Sequence, residues 1–253
     1  MHHAHIDRFA HQDSPLHRLD ARGKLLAVLA YTAVLISFSR YETLRLAPMF
    51  VGPLAMLWIG NIPLWLAFRR VLLLSPLVLM AALASVLSDH STQVALLGPW
   101  RVEVAGGYLT AANVLVKFAL ALLAMTALVA GTPFALLLEA MRRLGLPRLM
   151  GMVLAFLYRY IFVLLDESMR LRRARDFRGA ALAGPGRKLA AAGSVAGSLL
   201  VRTLDRSGRV YTAMQCRGYS GQSVSLERLA LARRDAVFLV TVVAYLVLCR
   251  AVL

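Results

Sequence analysis

Two six-residue stretches carry the most distinctive chemistry in this sequence. Ala174-Arg175-Asp176-Phe177-Arg178-Gly179 and Ala213-Met214-Gln215-Cys216-Arg217-Gly218 share the pattern Ala-x-x-x-Arg-Gly, and their Arg-Gly pairs lie 39 residues apart. A guanidinium presents a rigid fork of five N–H donors to carboxylates or backbone carbonyls. Near the end of a helix it opposes the helix dipole, and a following glycine terminates the helix. Each pair therefore reads as a compact basic tip able to enter an acidic groove, and two similar tips suit a two-fold partner. Capping combined with attraction to anionic headgroups is the plainer use of the same residues.

The other ionisable residues offer less. Lys117 lies about halfway through the apolar stretch 108–130. A charge at that depth is expensive and makes it a candidate for intramembrane coupling, with snorkelling or pairing across helices as the alternative. His2, His3, His5, His11 and His17 gather at the start of the chain, and such a terminus binds transition metal weakly. No catalytic, cofactor or metal site is assigned. The chain has no Gly-x-x-x-x-Gly-Lys-Ser/Thr phosphate loop and no defensible nucleophile–base–orienter set. Its two cysteines, Cys216 and Cys249, make neither a disulfide framework nor a metal cage.

The elements that must position these groups are membrane helices. Of 253 residues, 59% are hydrophobic and 17% charged, too apolar for an ordinary soluble domain. Apolar stretches cover residues 25–39, 44–59, 71–88, 108–130 and 236–248, with a further one at 149–165 interrupted by Arg159. The predicted fold is all-α and polytopic, with about five transmembrane helices and a basic cytoplasmic helical coupling domain. Residues 1–24 form a cytoplasmic N-terminal segment without a cleavable signal. Residues 25–130 hold four transmembrane helices, and 236–253 a fifth. Residues 131–235 hold the coupling helices, and 149–165 makes a sixth span if it dips into the bilayer. Thr132-Pro133 caps and starts a helix that Gly145 and Pro147 stop. A long helix follows from near Leu149 towards Phe177. After a turn at Gly184-Pro185-Gly186 comes a third helix over 188–219, whose apolar face is Val195, Leu199, Leu204, Tyr211 and Met214. Its Gly193, Gly197 and Gly208 permit close helix contact. Pro76 kinks the third span.

Net charge is +16, from 29 Lys and Arg against 13 Asp and Glu. Residues 131–235 hold 18 of the basic and 7 of the acidic residues, a net +11. With the N-terminus in the cytoplasm, Arg18, Arg22 and Lys24, the loop pair Arg69 and Arg70, and the whole basic block fall inside, against Arg40, Arg45 and Arg101 outside. No nucleic-acid-binding signature accompanies the charge.

Further residues resemble one family. Ile6-Asp7-Arg8-Phe9-Ala10 leads into Ser14-Pro15-Leu16-His17-Arg18-Leu19-Asp20-Ala21-Arg22-Gly23-Lys24-Leu25. This is similar to the opening segment of the transmembrane coupling (T) component of energy-coupling factor transporters, cobalt-transport subgroup, with Ala21 where Pro is usual. Thr132-Pro133, Leu144-Gly145-Leu146-Pro147 and Arg159-Tyr160-Ile161-Phe162 resemble its middle, and the two Arg-Gly stretches match its paired signatures. The resemblance implies a non-catalytic subunit of a bacterial or archaeal cytoplasmic membrane. Its signature helices dock on a dimer of cytoplasmic ABC ATPases, which hold the ATP and Mg2+. Its membrane helices hold a small substrate-binding membrane protein, with or without an accessory membrane subunit. ATPase coupling would then rest on Ala174, Arg178, Gly179, Ala213, Arg217 and Gly218. Cobalt is the first substrate implied, with nickel and vitamins behind it. A non-transporting membrane scaffold is the alternative from another class.

The charge bias predicts that a cysteine replacing Arg187 is shielded from impermeant thiol reagents added to intact cells. Ready external labelling would reverse the orientation.

Overall fold

The computed structural model describes residues 14–39, 43–88, 92–97, 100–178, 184–221 and 233–252. The histidines at 2, 3, 5 and 11, the Ile6–Ala10 lead-in, Arg40 and Gly179 lie outside them. Eight α-helices are described: α1 (Ala21–Ser37), α2 (Val51–Ile59), α3 (Leu64–Ser88), α4 (Gly106–Ala130), α5 (Phe134–Arg143), α6 (Arg148–Phe177), α7 (Pro185–Cys216) and α8 (Arg233–Val252). A 3-10 segment, Leu44–Phe50, precedes α2. The protein is an all-α polytopic membrane protein apart from one feature the apolar pattern did not predict, an antiparallel hairpin of β1 (Thr92–Leu97) and β2 (Trp100–Ala105). Its register sets Thr92 opposite Ala105 and Leu97 opposite Trp100. Helical apolar periodicity lapses here, and Val94, Val102 and Val104 favour extended backbone.

Three helical segments are long and apolar enough to cross a membrane: Leu64–Leu87, Gly106–Ala130 and Arg148–Phe177. Several boundaries differ from those predicted. The helix begins at Leu64, so Arg69 and Arg70 sit in its second turn and not in a loop. It continues through Pro76. Arg159 does not interrupt α6, because a long, exposed side chain leaves the backbone ladder untouched. The apolar run 44–59 is no single α-helix: Pro48 lies inside its 3-10 half. The two halves laid end to end still cover ~27 Å at the rises of 3-10 and α-helix. Pro185 is the first residue of α7, so the Gly184-Pro185-Gly186 turn is a helix start.

The chain divides into two compact units, Met1–Leu144 with Glu227–Leu253, and Gly145–Leu226. In the first, α4 is central. Its Leu120, Ala124 and Leu128 share a core with Val28, Tyr31 and Leu35 of α1, with Leu46 and Met49 of the 3-10 segment, and with Leu246 of α8. Its Ala127 and Ala130 join a second cluster with Leu16, Leu57, Ile62 and Ala67. By contrast α3 turns Leu73, Leu77, Met80 and Leu87 outward, as a lipid-facing helix does.

Helix ends inside this unit are closed by groups from other elements. Lys117 Nζ of α4 donates to the carbonyl of Phe38, the C-cap residue of α1, at 2.7 Å, and Asn113 Nδ2 donates to Ser39 O at 3.4 Å. Carbonyls at a helix C-terminus lack intrahelical donors and carry partial negative charge, so an ammonium there meets both needs. Around Pro48, Tyr31 Oη donates to Met49 O at 2.9 Å and Tyr245 Oη to Pro48 O at 2.8 Å. In the second unit, α6 and α7 pack together.

Losing the Lys117 bond costs about 1.5–3 kcal/mol, and losing the charge from an apolar setting returns a similar amount. Lys117→Met is therefore expected to insert and to melt within a few degrees of wild type. A sharp fall in melting temperature would mean that the bond outweighs the cost of the buried charge.

Candidate functional site: two basic helix ends and a buried cation

The two Arg-Gly stretches occupy equivalent places. Arg178 is the C-cap of the 30-residue α6, its N–H donating to Arg175 O at 3.0 Å. Arg217 is the C-cap of the 32-residue α7, its N–H donating to Met214 O at 3.0 Å. The second end is a full Schellman closure. Gly218 stands at φ +78°, its N–H donates to Gln215 O at 2.9 Å, and the Tyr219 N–H donates to Met214 O at 3.0 Å. Left-handed backbone at that position favours glycine over any residue with a Cβ. Ala174 and Ala213 lie one turn before each arginine, and all four residues are exposed. Close to the first tip, Arg175 pairs with Asp176 at 2.9 Å. No ion pair among the described residues engages Arg178 or Arg217.

The structure keeps these tips apart. Glu167 of α6 binds Arg202 of α7 at 2.6 Å, and Met152 near the start of α6 accepts from the Tyr219 hydroxyl beyond the end of α7. The pair is therefore antiparallel, and Arg217 lies beside the beginning of α6 while Arg178 caps its end. The 26 residues from Met152 to Arg178 correspond to about 39 Å of helix. Spacing in sequence did not reveal this separation, because it depends on how α7 returns along α6. The predicted apolar face of α7 holds at Val195, Leu199 and Met214, but Leu204 and Tyr211 are exposed. A Cβ added at Gly193, Gly197 or Gly208 would meet nothing within 4 Å. These glycines make no close helix contact within the chain.

The first unit holds a polar cluster that residue types alone did not disclose. Arg18, Arg22 and Lys24 read as cytoplasmic flanking charges, yet Lys24 is only 1% exposed. Its Nζ donates to Gly131 O at 2.9 Å. Asp20 accepts from the Arg22 N–H at 2.8 Å, capping α1, and its own N–H donates to Asp235 Oδ1 at 2.8 Å. Arg22 forms a fork onto Asp20, with Nε–Oδ1 at 3.2 Å and Nη2–Oδ2 at 3.1 Å. Lys24 sits in the first turn of α1, ahead of the apolar stretch. Burial pulls its pKa down to about 8, against the opposing pull of Asp20 and Asp235. The spacing Asp20-x-x-x-Lys24, one face of one helix turn, was the available signal.

The rest of the opening segment supports the cluster. Ser14 Oγ and His17 Nδ1 bond at 2.6 Å across a turn, and Leu16 enters the core at 1% exposure. Thr132 does not cap α5 as predicted. Pro133 is the N-cap with an extended ψ of 140°, which places the Thr132 hydroxyl one residue too far back. That hydroxyl is buried and has no hydrogen-bond partner among the described residues. Gly145, at φ +113°, does follow the end of α5. Among the described residues, no three His, Cys, Asp or Glu side chains group as a metal site.

Fold and site together define a polytopic membrane protein built around buried helix-end contacts, with two separated basic tips on a long helix pair. The family model CbiQ, cobalt transport protein, matches residues 12–226, and the chain belongs to that family. The protein is a CbiQ-like T component of the energy-coupling factor type. It is 28% identical over 225 residues to an energy-coupling factor transporter transmembrane protein EcfT from Leuconostoc gelidum subsp. gasicomitatum, covering 85% of this chain and 83% of that protein. It is 28% identical over 172 residues to the cobalt transport protein CbiQ of Salmonella typhimurium, covering 65% and 75%. An EcfT of Lactococcus lactis subsp. cremoris is 24% identical over 258 residues, covering 96% and 95%.

Breaking a buried ion cluster by removing one partner typically costs about 3–5 kcal/mol, because the remaining charge is left uncompensated. Lys24→Met should therefore lower detergent-solubilised melting sharply and cut membrane yield. Adding Asp235→Asn to it should recover part of the loss. Wild-type melting for Lys24→Met alone would remove the cluster from the list of structural supports.

Proposed function

We propose that this chain is the energy-coupling transmembrane subunit of an ATP-driven cobalt importer. Its partners are a dimer of cytoplasmic ABC ATPases and a small substrate-binding membrane protein. The observation that carries the reading is the pair of equivalent arginine-capped helix ends about 39 Å apart on one helix pair. Neighbouring tips would compete for one groove. Tips at opposite ends of an antiparallel pair can each engage a separate subunit, as a two-fold partner requires.

Each tip carries its arginine at a C-cap, where it complements the helix dipole, and at the end of α7 the backbone is closed through Gly218 and Tyr219. ATP-driven closure of the ATPase dimer would displace the two tips relative to each other. Stiff helices would pass that displacement to the membrane helices and reorient the substrate-binding protein. Energy transmission needs an element with two arrangements, biased by ATP at one end and by substrate at the other. ATP, Mg2+ and hydrolysis belong to the partner, and this chain supplies no catalytic residue to them. The N-terminus and the 145–226 unit face the cytoplasm, where the partner is. Cobalt is favoured by the name of the family and of the Salmonella relative; nickel and vitamins are the nearest alternatives.

Arg178→Glu and Arg217→Glu should each weaken assembly with the ATPases. Reversing a docked charge costs about 2–5 kcal/mol, and the double variant should lose the complex. Co-purification from membranes with the ATPases, followed by ATP-dependent 57Co uptake in proteoliposomes, measures both effects. Normal assembly and normal coupled uptake in the double variant would overturn the reading.

A further inference from the structure

Two chemically different cavities adjoin within the Gly145–Leu226 unit, between α6 and α7. The larger, about 370 Å³, is walled by Met152, Phe156 and Tyr160 of α6 and by Val210 and Met214 of α7, with Tyr219 at one end. The smaller, about 160 Å³, lies farther along the pair and is lined by Arg202, Arg206 and Arg209 with Glu167 and Asp205. Leu164, Thr203 and Arg206 border both. The two therefore form one trough, apolar at one end and guanidinium-rich at the other.

The charges in the polar end are unevenly committed. Arg202 is held by Glu167 at 2.6 Å, and Glu167 also faces Arg170 at 3.6 Å. Arg206 and Arg209 enter no ion pair among the described residues. The junction between the cavities falls at Leu164, where α6 passes from its apolar half to the charged run opening at Asp166 and Glu167. A ligand matching this lining has a slender apolar chain and a compact anionic head, with the boundary between them at the same depth.

We propose that this trough binds one anionic phospholipid, an acyl chain lying in the apolar cavity and the phosphate on Arg206 and Arg209. Free phosphate would leave the apolar cavity empty. An apolar partner helix would leave the guanidinium-rich end unanswered. Arginine forks suit phosphate oxygens, and positive charge at the surface of an anionic bilayer adds attraction. Such a lipid would fill the space between the two helices that carry the basic tips. The inference does not depend on the coupling reading, because it concerns binding by the chain itself.

The test uses the full-length chain in nanodiscs of phosphatidylcholine doped with phosphatidylglycerol. Native mass spectrometry after release should show one retained phosphatidylglycerol per chain. Arg206→Gln with Arg209→Gln should weaken its retention about thirtyfold, the worth of two basic residues at a membrane surface. Val210→Trp, which fills the apolar end, should also remove it. Arg172→Gln with Arg187→Gln takes away the same charge outside the trough and should leave retention unchanged. Equal weakening by both double variants would mean diffuse attraction and overturn the site. Equal retention of phosphatidylcholine would overturn its anionic specificity. A photoactivatable phosphatidylglycerol on the wild-type chain keeps the proposal falsifiable if a variant fails to fold. Its adducts should map to 152–164 and 203–214. Adducts elsewhere, or a co-purified membrane protein crosslinked to Phe156 with no lipid present, would overturn the proposal.

Discussion

The first unit depends on one buried ammonium. Lys24 can remain inside only because Gly131 O accepts from it and the carboxylates of Asp20 and Asp235 lie close by. An isolated charge in that position would be strongly disfavoured. The arrangement ties three distant points of the chain: the start of α1, the junction of α4 and α5, and the start of α8. The opening segment from Ser14 to Lys24 has its physical explanation here, as a turn, an apolar anchor, a helix cap and a cation that close one polar knot.

The same constraint governs the other helix ends. In an apolar environment a carbonyl without a donor is costly, so each irregularity must be answered by a side chain from elsewhere. Lys117 and Asn113 answer the end of α1, and Tyr31 and Tyr245 answer the carbonyls near Pro48. Lys117 thus has a structural occupation that its depth in an apolar helix did not disclose.

Where helices end outside such a core, the solution is different. Both α6 and α7 finish with an exposed arginine at the C-cap, and α7 closes through Gly218 and Tyr219. The closure fixes where the α7 backbone ends and so where the Arg217 side chain leaves it. The chain belongs to the cobalt transport protein family over residues 12–226.

The sequence by itself determined the class, the helical membrane architecture and the two tips. Hydropathy and local termination rules act over a few neighbouring residues, so long apolar runs and Arg-Gly ends declare themselves. It also located α5, α6 and α7 to within a few residues, because Gly145, Pro147 and Gly184-Pro185 act locally. It misplaced Thr132 by one residue, put Arg69 and Arg70 in a loop, and did not anticipate the β-hairpin. Only the tertiary structure decided that Lys24 is interior, that Lys117 closes α1, and that the two tips stand at opposite ends of one helix pair. Each of these depends on residues 79 or more positions apart for the lysines, and on the antiparallel return of α7 for the tips. A charge reads alike in sequence whether it faces water or a carbonyl a hundred residues away. Its partner is chosen by packing, and packing is not a local property.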